Sequence, residues 1–249
     1  MFEEGKGTSC LHKFYEQNLP SQLDKFQLIA VTDTASCPRS LVEQVERIAH
    51  CQNKPAKLIL RAKGLETDVY AELARQTQLL CLKYNIEFII HTHWQLAQSM
   101  GLIAVHVPLP LLADIPLEVR KSLYISASVH SVAEAEQALQ LGAKALIAGH
   151  IYATSCKPGL PPRGLEFLRS IHDVVVKHTT PTNSHPFAIC STTNNVPSIT
   201  STHLSKKALV NNSIPVYAIG GIGFDASQWC KLQSAGAAGA CIMSGYMQI

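Results

Sequence analysis

The chain has 249 residues, of which 47% are hydrophobic, 16% charged and 6% aromatic, and its net charge is +3. This length suits one or two domains and can bury a core without disulfides or metals. So small a charge, with no run of Lys or Arg, argues against a nucleic-acid partner. No apolar stretch reaches the roughly 18 residues of a membrane span, which argues against a membrane protein.

The first residues and the cysteines predict the compartment. The start, Met-Phe-Glu-Glu-Gly-Lys-Gly, lacks the basic and apolar regions of a secretory signal. The eight cysteines are scattered and form no Cys-x-x-Cys pair, so we expect reduced, mostly buried thiols. The sequence therefore predicts a cytoplasmic protein that acts on a small molecule, with no nucleic-acid or membrane partner.

Short apolar segments alternate with segments of helical period along the chain. The predicted strands are Phe26–Thr32, Ala56–Ala62, Glu87–His91, Ile103–Val107, Leu123–Ser128, Lys144–Gly149, Ile214–Ile219 and Ala238–Met243. The predicted helices are Ser40–Gln52, Thr67–Tyr84, Trp94–Met100, Pro116–Lys121, Ser131–Leu141, Arg163–Lys177 and Asp225–Ala235. Between the fourth strand and Pro116 we expect a Pro-rich connection without a helix. Ser131 and Glu134 predict a capping box at the start of their helix.

This alternation predicts a parallel sheet covered by helices, and eight units in this length favour a single (β/α)8 TIM barrel. Two segments break the regularity. Residues 177–213, rich in Ser, Thr, Asn and Pro, are too long for an ordinary helix-to-strand connection and predict a surface insertion between helix 6 and strand 7. The sequence stops just after strand 8, so we expect the last barrel helix to be missing. We expect one TIM-barrel domain over 1–249, with 1–25 as an N-terminal extension.

The active site of a TIM barrel lies at the C-terminal ends of its strands, where histidines and cationic residues gather in this sequence. Alternation places Arg61 and Lys63 on the same side of strand 2, where they would face an anionic substrate or form ion pairs at the rim. The other strand-end candidates are His91, His93, His106, Ser128, His130, His150, Thr154, Cys156, Lys157, Gly220, Gly221 and Ser244.

The Gly-Gly-Ile-Gly turn at residues 220–223 follows strand 7, where barrels bind phosphate through backbone N–H groups. The alternative is that these glycines only form a tight turn. We interpret His106 and His150 as packed, hydrogen-bonded residues. His91 and His93 have the spacing of a metal pair on a strand, but no aspartate ends strand 8, so a metal hydrolase is the weaker alternative. Nothing in the sequence distinguishes Cys156 from a buried thiol.

Taken together, these residues resemble the superfamily of thiamine-phosphate synthase and thiazole tautomerase (TenI-type), from about Leu28 to Gly245. The matching segments are Leu60-Arg61-Ala62-Lys63, Ser128-Val129-His130-Ser131, residues 149–160 (GHIYATSCKPGL), Arg163-Gly164 and residues 214–222 (IPVYAIGGI).

The two branches of this superfamily can be separated by their sequence patterns. The synthase pattern has Gln-x-Arg-x-Lys, an Asn-Asp pair and a later Asp, where this chain has Ile59, His91-Thr92 and a position near Leu111. Without those aspartates Mg²⁺ loses its expected oxygen ligands. Conversely, Ser-Val-His-Ser and the loop that begins at Gly149 match the tautomerase pattern. The resemblance therefore favours the tautomerase branch.

The tautomerase resemblance implies an isomerase of thiamine biosynthesis that converts a dihydrothiazole carboxylate phosphate into the aromatic thiazole. His130 would be the catalytic acid/base. Backbone groups at Gly220, Gly221, Met243 and Ser244 would hold the phosphate, with help from Thr154 and Lys157. The remaining expected substrate-binding residues are Arg61, Lys63, His91 and Ser128. No cofactor or metal is implied, and the resemblance is compatible with a homodimer.

Two alternatives stay open under the same resemblance. One is a thiamine-phosphate synthase, which joins a pyrimidine diphosphate to a thiazole phosphate and would require Mg²⁺. The other is a non-catalytic or regulatory paralogue that binds a phosphate ligand.

Overall fold

The computed structural model describes residues 26–180 and 214–249. Eight strands form one closed barrel in chain order, and each strand is parallel to both of its neighbours. This confirms the predicted TIM barrel. The strands are β1 (Gln27–Val31), β2 (Lys57–Leu60), β3 (Glu87–His91), β4 (Ala104–Pro108), β5 (Tyr124–Val129), β6 (Ala145–Gly149), β7 (Val216–Ile219) and β8 (Gly239–Ile242).

Helices on the outside of the barrel connect and cover these strands. They are α1 (Leu41–His50), α2 (Thr67–Lys83), α3 (Trp94–Ser99), α4 (Leu109–Asp114), α5 (Leu117–Ser122), α6 (Val132–Gln140), α7 (Gly164–Thr179), α8 (Ala226–Ser234) and α9 (Ser244–Met247). Helix α1 shows how the sequence sets such an element. The Ser40 hydroxyl accepts a hydrogen bond from the Glu43 N–H at 3.3 Å and caps the helix, while Val45 and Ile48 are fully buried against the barrel.

The core has two layers because successive strand residues point to opposite faces of the sheet. Inside the barrel, branched side chains of alternate strand positions pack together, among them Ile29, Ile59 and Ile147. The intervening positions, such as Leu58 and Ala148, pack outward against the helices. The interior apolar layer fills the barrel below its C-terminal rim, and a cavity opens at that rim.

Two predictions about the connections between strands were wrong. Helix α4 occupies Leu109–Asp114, where we expected a Pro-rich connection, because Pro110 lies in its first turn and costs no helical hydrogen bond there. Helix α7 continues to Thr179, so residues 177–179 are helical and not part of the expected insertion. Residues 181–213 of that insertion and the whole of the expected N-terminal extension, 1–25, lie outside the described residues.

A single helical turn, α9, follows β8. It occupies the place of the last barrel helix, which we expected to be missing. Its Tyr246 and Met247 are fully buried. The Tyr246 hydroxyl donates to the carbonyl of Asn53 at 2.6 Å, and the Gln44 side-chain amide donates to the carbonyl of Tyr246 at 2.6 Å. These contacts attach α9 to α1 and to the connection between α1 and β2. Among the described helices, none is both long and apolar enough to cross a bilayer.

Candidate functional site

A cavity of about 1190 Å³ opens at the C-terminal rim of the barrel. The structure brings all the predicted site residues to its wall, although they come from six different strand ends. They are Arg61, Lys63, His91, Ser128, His130, Thr154, Lys157, Gly220, Gly221, Met243 and Ser244.

His130 follows β5 and is held at two points. Its backbone N–H donates to the Glu134 carboxylate at 2.6 Å, and its ring Nδ1 lies 2.7 Å from the carbonyl oxygen of Gly149. A carbonyl oxygen only accepts, so Nδ1 carries the proton of this hydrogen bond. In the neutral ring Nε2 is then the unprotonated nitrogen, which can take a proton from a bound molecule.

Glu134 differs from its predicted role. The Ser131 hydroxyl caps α6 by accepting from the Glu134 N–H at 3.1 Å, as predicted. The second half of the capping box is absent, because the Glu134 carboxylate reaches past Ser131 to the N–H of His130. The helix cap therefore also fixes the backbone of a cavity residue, which the sequence pattern did not indicate.

His106 lies in the cavity wall but is almost completely buried. Its exposed fraction is 4%, and its two ring nitrogens lie 2.9 Å from the Ser126 hydroxyl and 2.8 Å from the Ser128 hydroxyl. Burial lowers the pKa of His106 to about 3, and the neighbouring His91 acts in the same direction. The ring is therefore neutral at physiological pH, which agrees with the predicted packed, hydrogen-bonded residue. His150 is also buried, with an exposed fraction of 5%, and its Nε2 lies 3.3 Å from the carbonyl oxygen of Leu160.

His91 ends β3 and forms a hydrogen bond through Nδ1 with the hydroxyl of Thr92. Burial is the main cause that lowers the pKa of His91 to about 4, and the positive charges of Arg61 and Lys63 act in the same direction. His91 is thus a neutral hydrogen-bonding group. Its expected metal partner, His93, packs against the Tyr70 ring with 4.2 Å between ring centroids.

The charged groups of the cavity are cations. Arg61 forms an ion pair with Asp33, and the side chains of both are largely buried. Lys63 and Lys157 have no ion-pair partner among the described residues. Two lysines without carboxylate partners at one cavity favour binding of an anion.

The glycines after β7 allow the chain to pack closely against the loop after β6. Gly221 has φ +67°, and a Cβ there would lie 2.4 Å from the carbonyl oxygen of Ala153. Gly220 has φ +99°, and its Cβ would lie 2.3 Å from the Cβ of His150. Within the described part of the chain, the N–H groups of Gly221 and Ser244 donate to no backbone carbonyl. These two N–H groups are therefore free to bind an anion.

The loop after β6 brings side chains to the same end of the cavity. Lys157 N–H donates to the Thr154 carbonyl at 3.2 Å, which folds the loop back on itself. The exposed thiol of Cys156 lies 4.0 Å from the Ser244 hydroxyl. Thr154 and Lys157 thus lie beside the β7 and β8 loops, as a shared anion site requires.

The donor set around the cavity does not suit Mg²⁺. This ion prefers carboxylate and other hard oxygen ligands, yet no Asp or Glu is among the described residues that line the cavity. The nearby Asp33 is paired with Arg61. Nor do the described residues contain a group of three or more His, Cys, Asp or Glu side chains arranged to hold a metal.

Three residues support the site in ways that sequence reasoning did not indicate. Glu134 fixes His130, and Asp33 neutralises Arg61. Tyr70, on α2, donates its hydroxyl to the carbonyl of Leu60 at 2.7 Å and contacts His93. Asp33 could have been found because it follows β1 at the same rim. Tyr70 carries no such signal, since it lies on a helix.

Comparison with known proteins identifies the family. A family model described as thiamine monophosphate synthase (TMP-TENI) matches residues 28–182, more than half of the chain. The chain belongs to this family. The matched residues include His130 and the loop after β6 but end before the glycine turn after β7.

Curated relatives of this family align with the chain at low identity. A thiamine-phosphate synthase of Fusobacterium nucleatum is 26% identical over 193 residues, which cover 76% of this chain and 73% of that protein. A thiamine-phosphate synthase of Gloeobacter violaceus is 30% identical over 139 residues, 53% of this chain. The chain spans only 40% of the length of the Gloeobacter protein. These names match the synthase alternative better than the tautomerase.

A solved structure supports the fold. Thiamine phosphate pyrophosphorylase from Pyrococcus furiosus superposes with a TM-score of 0.62 and 24% identity, covering 91% of this chain and 89% of that chain. At this identity the likeness shows the barrel and not the reaction.

Proposed function

We propose that this protein is a thiazole tautomerase-like isomerase that aromatises a dihydrothiazole carboxylate phosphate by proton transfer through His130. Two features of the cavity together carry the proposal. The Gly149 carbonyl fixes the His130 ring at the cavity. The cavity wall holds cations and neutral histidines but, among the described residues, no carboxylate. Such a wall suits an anionic substrate and acid–base chemistry.

The isomerisation needs one proton to leave the ring and one to arrive at the exocyclic carbon. His130 Nε2 takes the proton from the ring carbon, and the electron pair of the broken C–H bond forms the new double bond within the ring. The former exocyclic double bond then takes the proton from Nε2–H, which restores the neutral imidazole. No electrons leave the substrate and no co-reactant is consumed. The hydrogen bond from Nδ1 to Gly149 holds the ring in one orientation through both transfers.

The two ends of the proposed substrate match the two cationic parts of the cavity. Its phosphate would lie against the free N–H groups of Gly221 and Ser244 beside Lys157. Its carboxylate would face Lys63 and Arg61 at the rim after β2. An anion at each end would fix the reacting carbons between them, at the wall that carries His130.

A thiamine-phosphate synthase is the second candidate, because the curated relatives carry that name. Arg61, Lys63, Thr154 and Lys157 would serve this reaction as well as the isomerisation. The synthase reaction would require Mg²⁺, which the donor set of the cavity does not fit. We therefore place the isomerase first.

The decisive experiment follows thiazole aromatisation by ultraviolet absorbance with the wild type and His130→Asn. The Asn amide keeps a donor toward Gly149 but has no group equivalent to Nε2, so we expect a rate loss of about 10²- to 10⁴-fold with binding largely retained. The matched control is His50→Asn, which makes the same substitution at an exposed position on α1. We expect this control to leave the rate unchanged.

Three outcomes separate the candidates. Unchanged turnover by His130→Asn would exclude His130 as the acid/base. Formation of thiamine phosphate from pyrimidine diphosphate and thiazole phosphate with excess Mg²⁺ would establish the synthase instead. Calorimetric binding of the thiazole phosphate with neither reaction would leave a phosphate-binding protein without catalysis.

A further inference from the structure

Ser128 and Ser126 are joined by one buried imidazole. Both serines lie on β5, two positions apart, so their side chains point to the same face. The adjacent strand places His106 directly opposite Ser126, and its two ring nitrogens each contact one of the two hydroxyls. Ser128 lines the cavity and Ser126 does not. The network therefore links a cavity hydroxyl to an anchor within the barrel.

A serine beside a histidine suggests an activated nucleophile, but these contacts do not support one. A general base has to accept the hydroxyl proton near neutral pH. His106 is too weak a base for this, because burial lowers its pKa to about 3. Its second nitrogen also contacts a neutral serine and not a carboxylate that would stabilise an imidazolium.

We propose that His106 is a positioning residue that holds the Ser128 hydroxyl in one rotamer, so that this hydroxyl presents its remaining hydrogen-bonding capacity to a polar group of the bound substrate. A serine hydroxyl has one donor and two acceptor sites, and the bond to Nε2 uses one of them. This inference rests on the proposed function in one respect, because the substrate has to occupy the cavity that Ser128 lines.

Two conservative substitutions of His106 distinguish the hydrogen bond at Nε2 from the hydrogen bond at Nδ1. His106→Gln places an amide near the position of Nε2, within reach of Ser128. His106→Asn places its amide near Nδ1, within reach of Ser126 only. The two variants bury a similar amide at the same position, so each is the matched control for the other.

Turnover should distinguish these variants. We expect His106→Asn and Ser128→Ala each to lower kcat about tenfold, with little change in KM, because a lost hydrogen bond in the transition state has about this effect. His106→Gln should restore kcat to within about threefold of the wild type. The double variant His106→Asn with Ser128→Ala should lose no more than Ser128→Ala alone, since both changes act through one hydroxyl. Equal kcat for the Gln and Asn variants would overturn the proposal.

A second measurement does not depend on any reaction. In ¹⁵N imidazole NMR spectra, we expect His106 to stay neutral from about pH 5 to about pH 8. Ser128→Ala should shift mainly the Nε2 resonance, and Ser126→Ala mainly the Nδ1 resonance. A His106 that titrates near neutral pH, or an Nε2 resonance that Ser128→Ala leaves unmoved, would overturn the proposal. Loss of the proposed isomerase activity would not change these spectra, so the two proposals fail separately.

Discussion

Substituting Gly221 by Ala tests the anion site after β7. The new Cβ would lie 2.4 Å from the carbonyl oxygen of Ala153 and 2.8 Å from the Cβ of Tyr152. To reach the ordinary contact distance of 3.4 Å, the two loops would have to separate by about 1 Å. The left-handed backbone conformation adds about 1–2 kcal/mol and the overpacking about 1–3 kcal/mol. We therefore expect the free energy of unfolding to fall by about 2–5 kcal/mol.

The same displacement should weaken phosphate binding. A hydrogen bond to a charged group contributes about 1.5–3 kcal/mol, so loss of one N–H contact would weaken binding by about 10- to 150-fold. Isothermal calorimetry with thiazole phosphate measures the affinity, and urea unfolding measures the stability. Both use the full chain.

Two glycines of this chain serve as controls. Gly101 has the same φ of +67°, but a Cβ there meets nothing within 4 Å, so Gly101→Ala should cost stability without affecting binding. Gly223 lies in the turn itself with no Cβ contact within 4 Å, and its N–H already donates to the Gln228 side chain at 2.9 Å. Gly223→Ala should therefore bind phosphate like the wild type. If Gly221→Ala also binds phosphate with the wild-type affinity, phosphate does not bind at this turn.

Two further predictions concern charge. His91 and His106 have pKa values of about 4 and about 3, below the ordinary 6.5, so the unfolded chain binds protons first as the pH falls. Urea unfolding at a series of pH values should show the free energy of unfolding fall below about pH 6.5, down to about pH 4 for His91 and about pH 3 for His106. The slope should reach about 1.4 kcal/mol per pH unit for each histidine and should be shallower in His106→Gln. Equal slopes in the wild type and in this variant would contradict the lowered pKa of His106 as a cause. Lys157→Ala should weaken thiazole phosphate binding and make the affinity less dependent on salt concentration. Lys231→Ala, at an exposed position on α8, should change neither quantity. Calorimetry at two salt concentrations measures both variants, and an equal effect of the two changes would contradict the prediction.

Periodicity was sufficient to predict the barrel, because the strands are predominantly apolar and most helices carry an amphipathic pattern. It failed at Leu109–Asp114, where prolines before and inside the helix masked its start. The rule that barrel strands end at one rim was enough to collect the candidate residues, since it needs only strand ends and not distances.

Contacts between particular atoms were beyond the sequence. Whether Glu134 bonds to Ser131 or to His130 depends on the angle at which α6 leaves β5, which no local pattern encodes. The pairing of His106 with both Ser126 and Ser128 depends on the register of β4 against β5. That register is set by closure of the whole barrel and not by either strand alone.

The connection between α7 and β7 offers a route for engineering. Its two described ends, Thr180 and Ile214, lie at the N-terminal side of the strands, whereas the cavity lies at the C-terminal side. The chain thus leaves α7 and enters β7 at the face away from the cavity. An affinity tag, a fluorophore or a protease site placed next to Thr180 or Ile214 would enter the chain far from the rim residues. The connection therefore provides a point for labelling the protein while the cavity is assayed.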